Sequence, residues 1–311
     1  MLRATAILVL LLAGMAPGAG VRAQDQPAND TAECRKIRAD IGLPEKTDDD
    51  ATADDIKIIC HLGYITAQNA RTRIPEWVME RLTPELLQGP FGRKGANFKA
   101  DPAAPDETQA RGSDYKKSGF DQGHQAAAAD FKSSQQILFD TFFFTNAVPQ
   151  VGKGFNQDSW RGLESLVQKL AESRPELYVI TGPVEQESRA VRIKREADAC
   201  RNEIVLNPLP RKEMCPQSNE NPSASCTDGV HIPAALYKII YDPGMGRVNA
   251  FLMPNIDHRT LRGKQSFLEY VKQFRVGVNS IESLTGLKFF PALPARTQTQ
   301  LKESCAITLL H

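Results

Sequence analysis

Gly119-Phe120-Asp121-Gln122-Gly123-His124-Gln125-Ala126-Ala127-Ala128-Ala129-Asp130 is the stretch on which the fold of this chain turns. A histidine follows a glycine in a short polar turn, and a run of small residues leads away from it. Gly123 removes a side chain from beside the ring, and Asp121 with Gln122 keeps the approach polar. Histidine has an unperturbed pKa close to neutrality, which suits it to take a proton from water. Further along come Asn146, Pro149, Gln150, Asn156, Trp160 and Glu164. One base with two amides and a carboxylate around a hard metal ion is chemistry for metal-assisted hydrolysis of a charged ester.

Each of these residues also has a plainer role open to it. His124 is a structural or surface histidine unless its neighbours activate it. Asn156 stands just before a helical pattern, where an N-cap is an ordinary use for Asn. Asn146, ahead of Pro149, can satisfy the backbone of a turn. Glu164 can be a solvated helix charge. Were the chain helical from Asn156 to Glu164, their separation along the axis would be about 12 Å. Both would then not touch one ion directly, unless the start of the helix is unwound.

Around this centre the pattern is mixed. Ile58 to Ala67 has strand character, and Ile74-Pro75-Glu76-Trp77-Val78-Met79 is a further apolar run. Residues 88 to 118, rich in Gly, Pro, Asp and Lys, read as an irregular loop. Phe131 to Phe139 reads as a short helix and Thr141 to Thr145 as a buried strand. Ser159 to Ser173 places Leu163, Leu166, Val167 and Leu170 at helical spacing, and Pro175 stops it. Leu177 to Thr181 is a strand. Leu236 to Tyr241 and Val248 to Met253 form a hairpin about Asp242-Pro243-Gly244-Met245-Gly246. Strands and helices without regular βαβ alternation give an α+β class.

The first residues carry an address rather than structure. Arg3 opens a short n-region, Ala6 to Ala13 is apolar, and Val21-Arg22-Ala23 ends on the small residue a signal peptidase needs. Residues 1–23 are thus expected to be removed, leaving an exported chain, periplasmic or secreted. No later run approaches the ~20 apolar residues of a membrane span, and no membrane anchor is legible. Residues 24–55 look like a loosely structured N-terminal segment, and 56–311 like the main domain.

Thirty-eight basic and 37 acidic residues leave a formal charge of +1, so no global basic field marks a tight nucleic-acid binder. A hydrolase that releases its product needs none. Six cysteines in an exported chain read as disulfides. Cys34–Cys60 and Cys215–Cys226 are the expected pairs, though six cysteines allow many pairings. A zinc site built on His61, His124, His231 and His258 is disfavoured, because no two of these lie at helical i, i+3 or i, i+4 spacing.

The segment Ser118 to Ala129 resembles the signature of the DNA/RNA non-specific endonucleases, the ββα-metal family of secreted bacterial nucleases and mitochondrial endonuclease G. Gly63-Tyr64 with Ile74 to Val78, Thr145 to Gln150, Asn156 to Trp160 with Leu163-Glu164, and Ile180 to Pro183 are similar to the family in the same order. So are Ile232-Pro233-Ala234, Ala250 to Asn255 and Ser280 to Pro291. The resemblance implies a ββα-metal nuclease fold, a mixed or antiparallel sheet flanked by helices, acting on DNA and RNA.

Residue by residue, it implies His124 as general base and Asn156 as the direct ligand of Mg²⁺, with Mn²⁺ able to substitute. Glu164 would act through metal-bound water, and Asn146 would support the site. Arg93, similar to a family arginine upstream of the signature, and Arg161, a nearby cation, are expected to meet substrate. Gln122 departs from the family, which usually has Arg there. A lost charge-assisted contact costs about 1.5–3 kcal/mol. This puts rate in question rather than class, and the alternative is a catalytically weakened nuclease-fold module that binds nucleic acid or protein. The sequence leaves open a homodimer and an inhibitor or immunity partner.

Overall fold

The computed structural model describes residues 30–47, 55–185, 191–193, 204–207, 213–214 and 229–303. Its centre is a seven-stranded sheet in which every neighbouring pair is antiparallel. The sheet strands are β1 (Ile56–Cys60), β2 (Tyr64–Asn69), β3 (Pro75–Leu82), β6 (Leu177–Val184), β7 (Ala235–Asp242), β8 (Arg247–Pro254) and β9 (Arg275–Val276). Their spatial order is β9-β8-β7-β6-β3-β2-β1. A separate hairpin pairs β4 (Phe120–His124) with β5 (Ala147–Val151).

Every residue of β6 and β7 is buried, because both faces of the sheet are covered. The two-residue period of a strand divides their side chains. Tyr178, Ile180, Tyr237 and Ile239 join one core, which also takes Cys34, Ile37 and Ile41 of α1 (Ala32–Ile41). Leu177, Val179, Leu236 and Ile240 join the other, beneath Phe144, Trp160, Leu163 and Val167. The same alternation sends Glu80, Thr181 and Lys238 to that second face, under the β4–β5 hairpin.

The hairpin expected at Asp242 to Gly246 is present: Asp242 Oδ1 accepts from the Met245 amide at 3.0 Å, and Gly246 takes φ +58. The predicted helix forms as α3 (Arg161–Ala171), burying Leu163, Val167 and Leu170. It continues from a wider-wound helical segment, Gly152–Trp160, in which Lys153 and Gly154 leave helical angles. The short helix after the histidine is α2 (Gln135–Asp140), capped by the Ser134 hydroxyl, which accepts from the Ile137 amide.

Several expectations are corrected. Residues 24–55 are not loosely structured throughout. Thr31 caps α1, whose apolar face is fully buried, and Cys34 is joined to Cys60 of β1 by a disulfide. Ile58 to Ala67 is two strands and not one, turned at His61-Leu62-Gly63. Thr141 to Thr145 is no strand. Thr141 Oγ1 donates to the Leu138 carbonyl, and Asn146 Nδ2 donates to the Thr141 carbonyl, folding the segment back on itself. Its aromatic residues are buried all the same, which is the signal that read as a strand. His124 ends a strand rather than sitting in a turn. Residues 88–118 are irregular apart from one-turn pieces at Asp106–Thr108 and Gly112–Tyr115. The expected cleavage site and the Cys215–Cys226 pair lie outside the described residues.

Candidate active site

The β4–β5 register places His124 opposite Ala147 and Gly123 opposite Val148. A β-carbon at Gly123 would stand 2.2 Å from Cδ of Gln150, so only glycine lets that side chain cross the hairpin. Where β4 ends, Asn146 takes over. Its Oδ1 accepts from the Ala126 amide at 2.9 Å, and its Nδ2 donates to the carbonyls of Ala126 (2.9 Å) and Thr141 (2.8 Å). Asn146 is completely buried. Both of its amide hydrogens are therefore taken by backbone, and the three bonds fix the chain just beyond His124.

The His124 ring lies half-buried between Phe98 and Phe142, each 4.7 Å away between centroids. Its Nε2 has no hydrogen-bond partner among the described residues. Burial and then the nearby Arg93 guanidinium lower its pKa to about 3. The imidazole is neutral at physiological pH, and its Nε2 is enclosed by protein.

Asn156 is oriented from the same strand. Asp121 Oδ2 accepts from Asn156 Nδ2 at 2.9 Å and from Gln157 Nε2 at 2.8 Å. A carboxylate can only accept, so the amide hydrogens must face it and Asn156 Oδ1 is turned away from it. Gly152 makes room for this arrangement, since a β-carbon there would lie 2.7 Å from Asp121 Oδ1.

Glu164 sits in the first turn of α3, and burial raises its pKa to about 8. The charge of nearby Lys238 and the Trp160 indole pull in the opposite direction. Lys238 is 2% exposed; its ammonium donates to Thr181 Oγ1 at 2.6 Å and lies 5.1 Å from the Trp160 ring centre. Asp130, bonded by Gln168 Nε2 at 2.7 Å, has its pKa raised by burial to about 6. Burial and the charge of Asp130 raise that of Glu80 as well. The sequence reading missed Asp121, Glu80, Asp130 and Lys238. A lone Lys in the apolar run Leu236 to Tyr241, and a lone Glu after Trp77-Val78-Met79, were the available signals.

A cleft of about 610 Å³ opens beside these groups, lined by Arg93, Lys116, Asp121, Gln122 and Asn156, with Phe98 and Phe142 on its wall. Arg93 lies 5.6 Å over the Phe142 ring. Arg161, expected to meet substrate, starts α3 beside Glu164 and is not part of this lining.

The residues present suit a hard cation such as Mg²⁺, which keeps most of its waters and takes few protein oxygens. Asn156 Oδ1 is a fixed neutral oxygen, and no group of three or more His, Cys, Asp or Glu converges among the described residues. The histidines also stand apart. His61 faces Asp101 at 3.2 Å, His231 faces Glu185 at 3.0 Å, and His258 Nε2 bonds the Pro254 carbonyl at 2.8 Å. Among the described residues no three of these histidines converge on one site.

Two antiparallel strands ending at a histidine, followed by a helix that carries the oriented amide, define a ββα-metal nuclease fold. The family model for DNA/RNA non-specific endonucleases matches residues 47–296, and the chain belongs to that family. The chain is 34% identical over 239 residues to a nuclease of Syncephalastrum racemosum, covering 74% of this chain and 66% of that protein. It is 31% identical to human mitochondrial endonuclease G, covering 75% of this chain and 69% of that one. Among solved structures, it matches a chain of the crystal structure of the EndoG/EndoGI complex with a TM-score of 0.60 and 27% identity. That match covers 77% of this chain and 88% of the other. The matched span begins ahead of β1, at residue 47 rather than 56.

Proposed function

We propose that this protein is an exported, Mg²⁺-dependent endonuclease that hydrolyses phosphodiester bonds of DNA and RNA with little sequence preference. The observation that carries the reading is the Asp121 bridge. The strand that ends in the candidate base also holds the candidate metal ligand, so base and ligand keep a fixed relation.

His124 is the general base. Its ring is kept neutral by burial, and it would take the proton of the attacking water. Asn156 Oδ1 would hold the ion, and Glu164 would orient water in its shell. When bound, the cation neutralises charge that builds on the phosphate oxygens and assists departure of the 3′ oxygen. Arg93 and Lys116 line the cleft with positive charge, and Gln122 offers an amide in place of a cation. Contacts of this kind grip phosphate and carry no base information, which supports indifference to sequence. Discrimination against RNA would need a group reading the 2′-OH. Export rests on Arg3, Ala6 to Ala13 and Ala23; among the described residues no helix is long and apolar enough to cross a membrane.

The deciding experiment is digestion of plasmid DNA and total RNA by the purified protein with Mg²⁺, beside EDTA and a His124→Ala control. Cutting of both substrates, abolished by EDTA and by the substitution, is expected. A wild-type protein inert with every divalent metal yet retaining DNA in a gel shift would overturn the reading, leaving a binding module disabled at Gln122.

A further inference from the structure

A second cavity, of about 370 Å³, lies against the segment that carries Asn156. Gly154, Asp158 and Ser159 of that segment form one wall, while Arg259, Arg262 and Lys264 form the other. Asn156 and Gln157, from the same segment, line the cleft described above. One helical turn system therefore separates the two cavities.

The cations of the second cavity are not equivalent. Arg259 is already committed, with Nε and Nη2 donating to the Asp257 carboxylate at 2.5 to 3.0 Å. Asp158 is held by the Gly154 amide, which donates to its Oδ2 at 2.8 Å. Arg262 and Lys264 face no carboxylate within ion-pair distance among the described residues. Arg262 is nonetheless held in place: its Nε donates to the Gln265 carbonyl at 3.3 Å, and its guanidinium lies 5.7 Å over the Phe267 ring. Phe267 is itself seated against Gly162 of α3, where a β-carbon would come within 2.6 Å of the ring. Lys264 is exposed beside it. A pre-placed guanidinium with an unpaired ammonium in a polar hollow is a receptor for an anion.

We propose that this hollow is a second site for nucleic-acid backbone phosphate, with Arg262 and Lys264 as its contacts. The proposal rests on the nuclease reading and extends it. A helix is about 10–12 Å across with its side chains, and duplex DNA rises 3.4 Å per nucleotide on each strand. A strand held in the active cleft therefore reaches the hollow about three nucleotides away. Short substrates fill only the cleft, whereas long ones engage both.

The test uses the full-length protein and its Arg262→Ala/Lys264→Ala variant, with thermal melting to show equal folding. Fluorescence anisotropy in EDTA measures binding of a labelled dinucleotide and a labelled duplex of about 20 base pairs across a salt series. The long duplex is expected to bind the variant about tenfold more weakly, and the slope of log K against log salt to fall by about 1.8, two phosphate contacts' worth. The dinucleotide, too short to reach from the cleft to the hollow, is expected to bind unchanged. With Mg²⁺, KM for long DNA rises while kcat holds. Equal binding of long DNA by both proteins overturns the site. So does an equal loss on the dinucleotide and the long duplex, which would place these cations in the main cleft. Because binding is read without metal, a wild-type protein that cuts nothing sinks the nuclease reading while leaving the phosphate site measurable.

Discussion

Asp121 Oδ2 accepts a hydrogen bond from Asn156 Nδ2 at 2.9 Å, across 35 residues of sequence. This contact fixes which end of the Asn156 amide faces outward. In Asp121→Asn the partner can donate as well as accept, and the Asn156 amide is free to turn its NH₂ toward the metal. Groups that orient metal ligands typically contribute 10–100-fold to affinity. We expect Mg²⁺ affinity to fall by about that factor, read by calorimetry, with the circular dichroism spectrum unchanged. Wild-type affinity in the variant would show that Asn156 is oriented by something else.

The pH dependence of the base has a definite sign. The folded His124 pKa is depressed to about 3, so the ring stays neutral from alkaline pH down through pH 5. At saturating Mg²⁺, kcat/KM should show no step near 6.5 that belongs to this residue. Arg93→Ala removes a nearby positive charge and should raise the His124 pKa, visible in the carbon shifts of the labelled ring. The same depression costs stability in acid. The unfolded ring takes a proton near 6.5 and the folded one does not, so its contribution is lost as pH falls from about 6.5 toward 3.

Asn146→Ala removes three hydrogen bonds to buried backbone groups at once. Each group left unsatisfied costs about 1–3 kcal/mol, so a loss of at least about 3 kcal/mol is expected in urea melts. Residual activity per folded molecule should fall too, because the chain beside His124 loses its clamp. A fully stable variant with impaired kcat would instead point to direct contact with substrate.

Lys238→Met leaves the carboxyl groups of Glu80, Asp130 and Glu164 without their buried cation. Asp130 has a folded pKa of about 6, raised from 3.8. Its contribution is therefore fully present below about pH 4 and lost as pH rises through 6. In the variant that pKa climbs further, and the loss should extend above pH 6. Thermal melts from pH 4 to 8 read this directly, and parallel curves for both proteins would refute it.

Gln122→Arg should increase cleavage. The position lines the cleft beside Arg93 and Lys116, and a charge-assisted contact contributes about 1.5–3 kcal/mol, so kcat/KM is expected to rise about tenfold or more. No gain would mean that the existing cations already serve the phosphate.

The sheet strands and α3 were legible because each follows a local period. Leu163, Val167 and Leu170 repeat along one helix face, and Leu177 to Thr181 is apolar on both sides of its pleat. Thr141 to Thr145 misled because burial and strand geometry give the same aromatic pattern, while the Asn146 bonds that fold it back are invisible in sequence. His124, Asn156 and Glu164 stood out through their motifs.

The sequence by itself determined the family, the residue types of the candidate site and the order of its elements, since these depend on neighbours along the chain. Only the tertiary structure decided what those residues do to one another. The β4–β5 register set Asn146 behind His124, and Asp121 reached Asn156. Three separate strands brought Glu80, Thr181 and Lys238 beneath Asp130, in a single helical turn, and Glu164 of α3. A period of two tells which face a side chain joins but not which partner waits there. The partner is chosen by long-range packing, and so is the burial that sets each pKa.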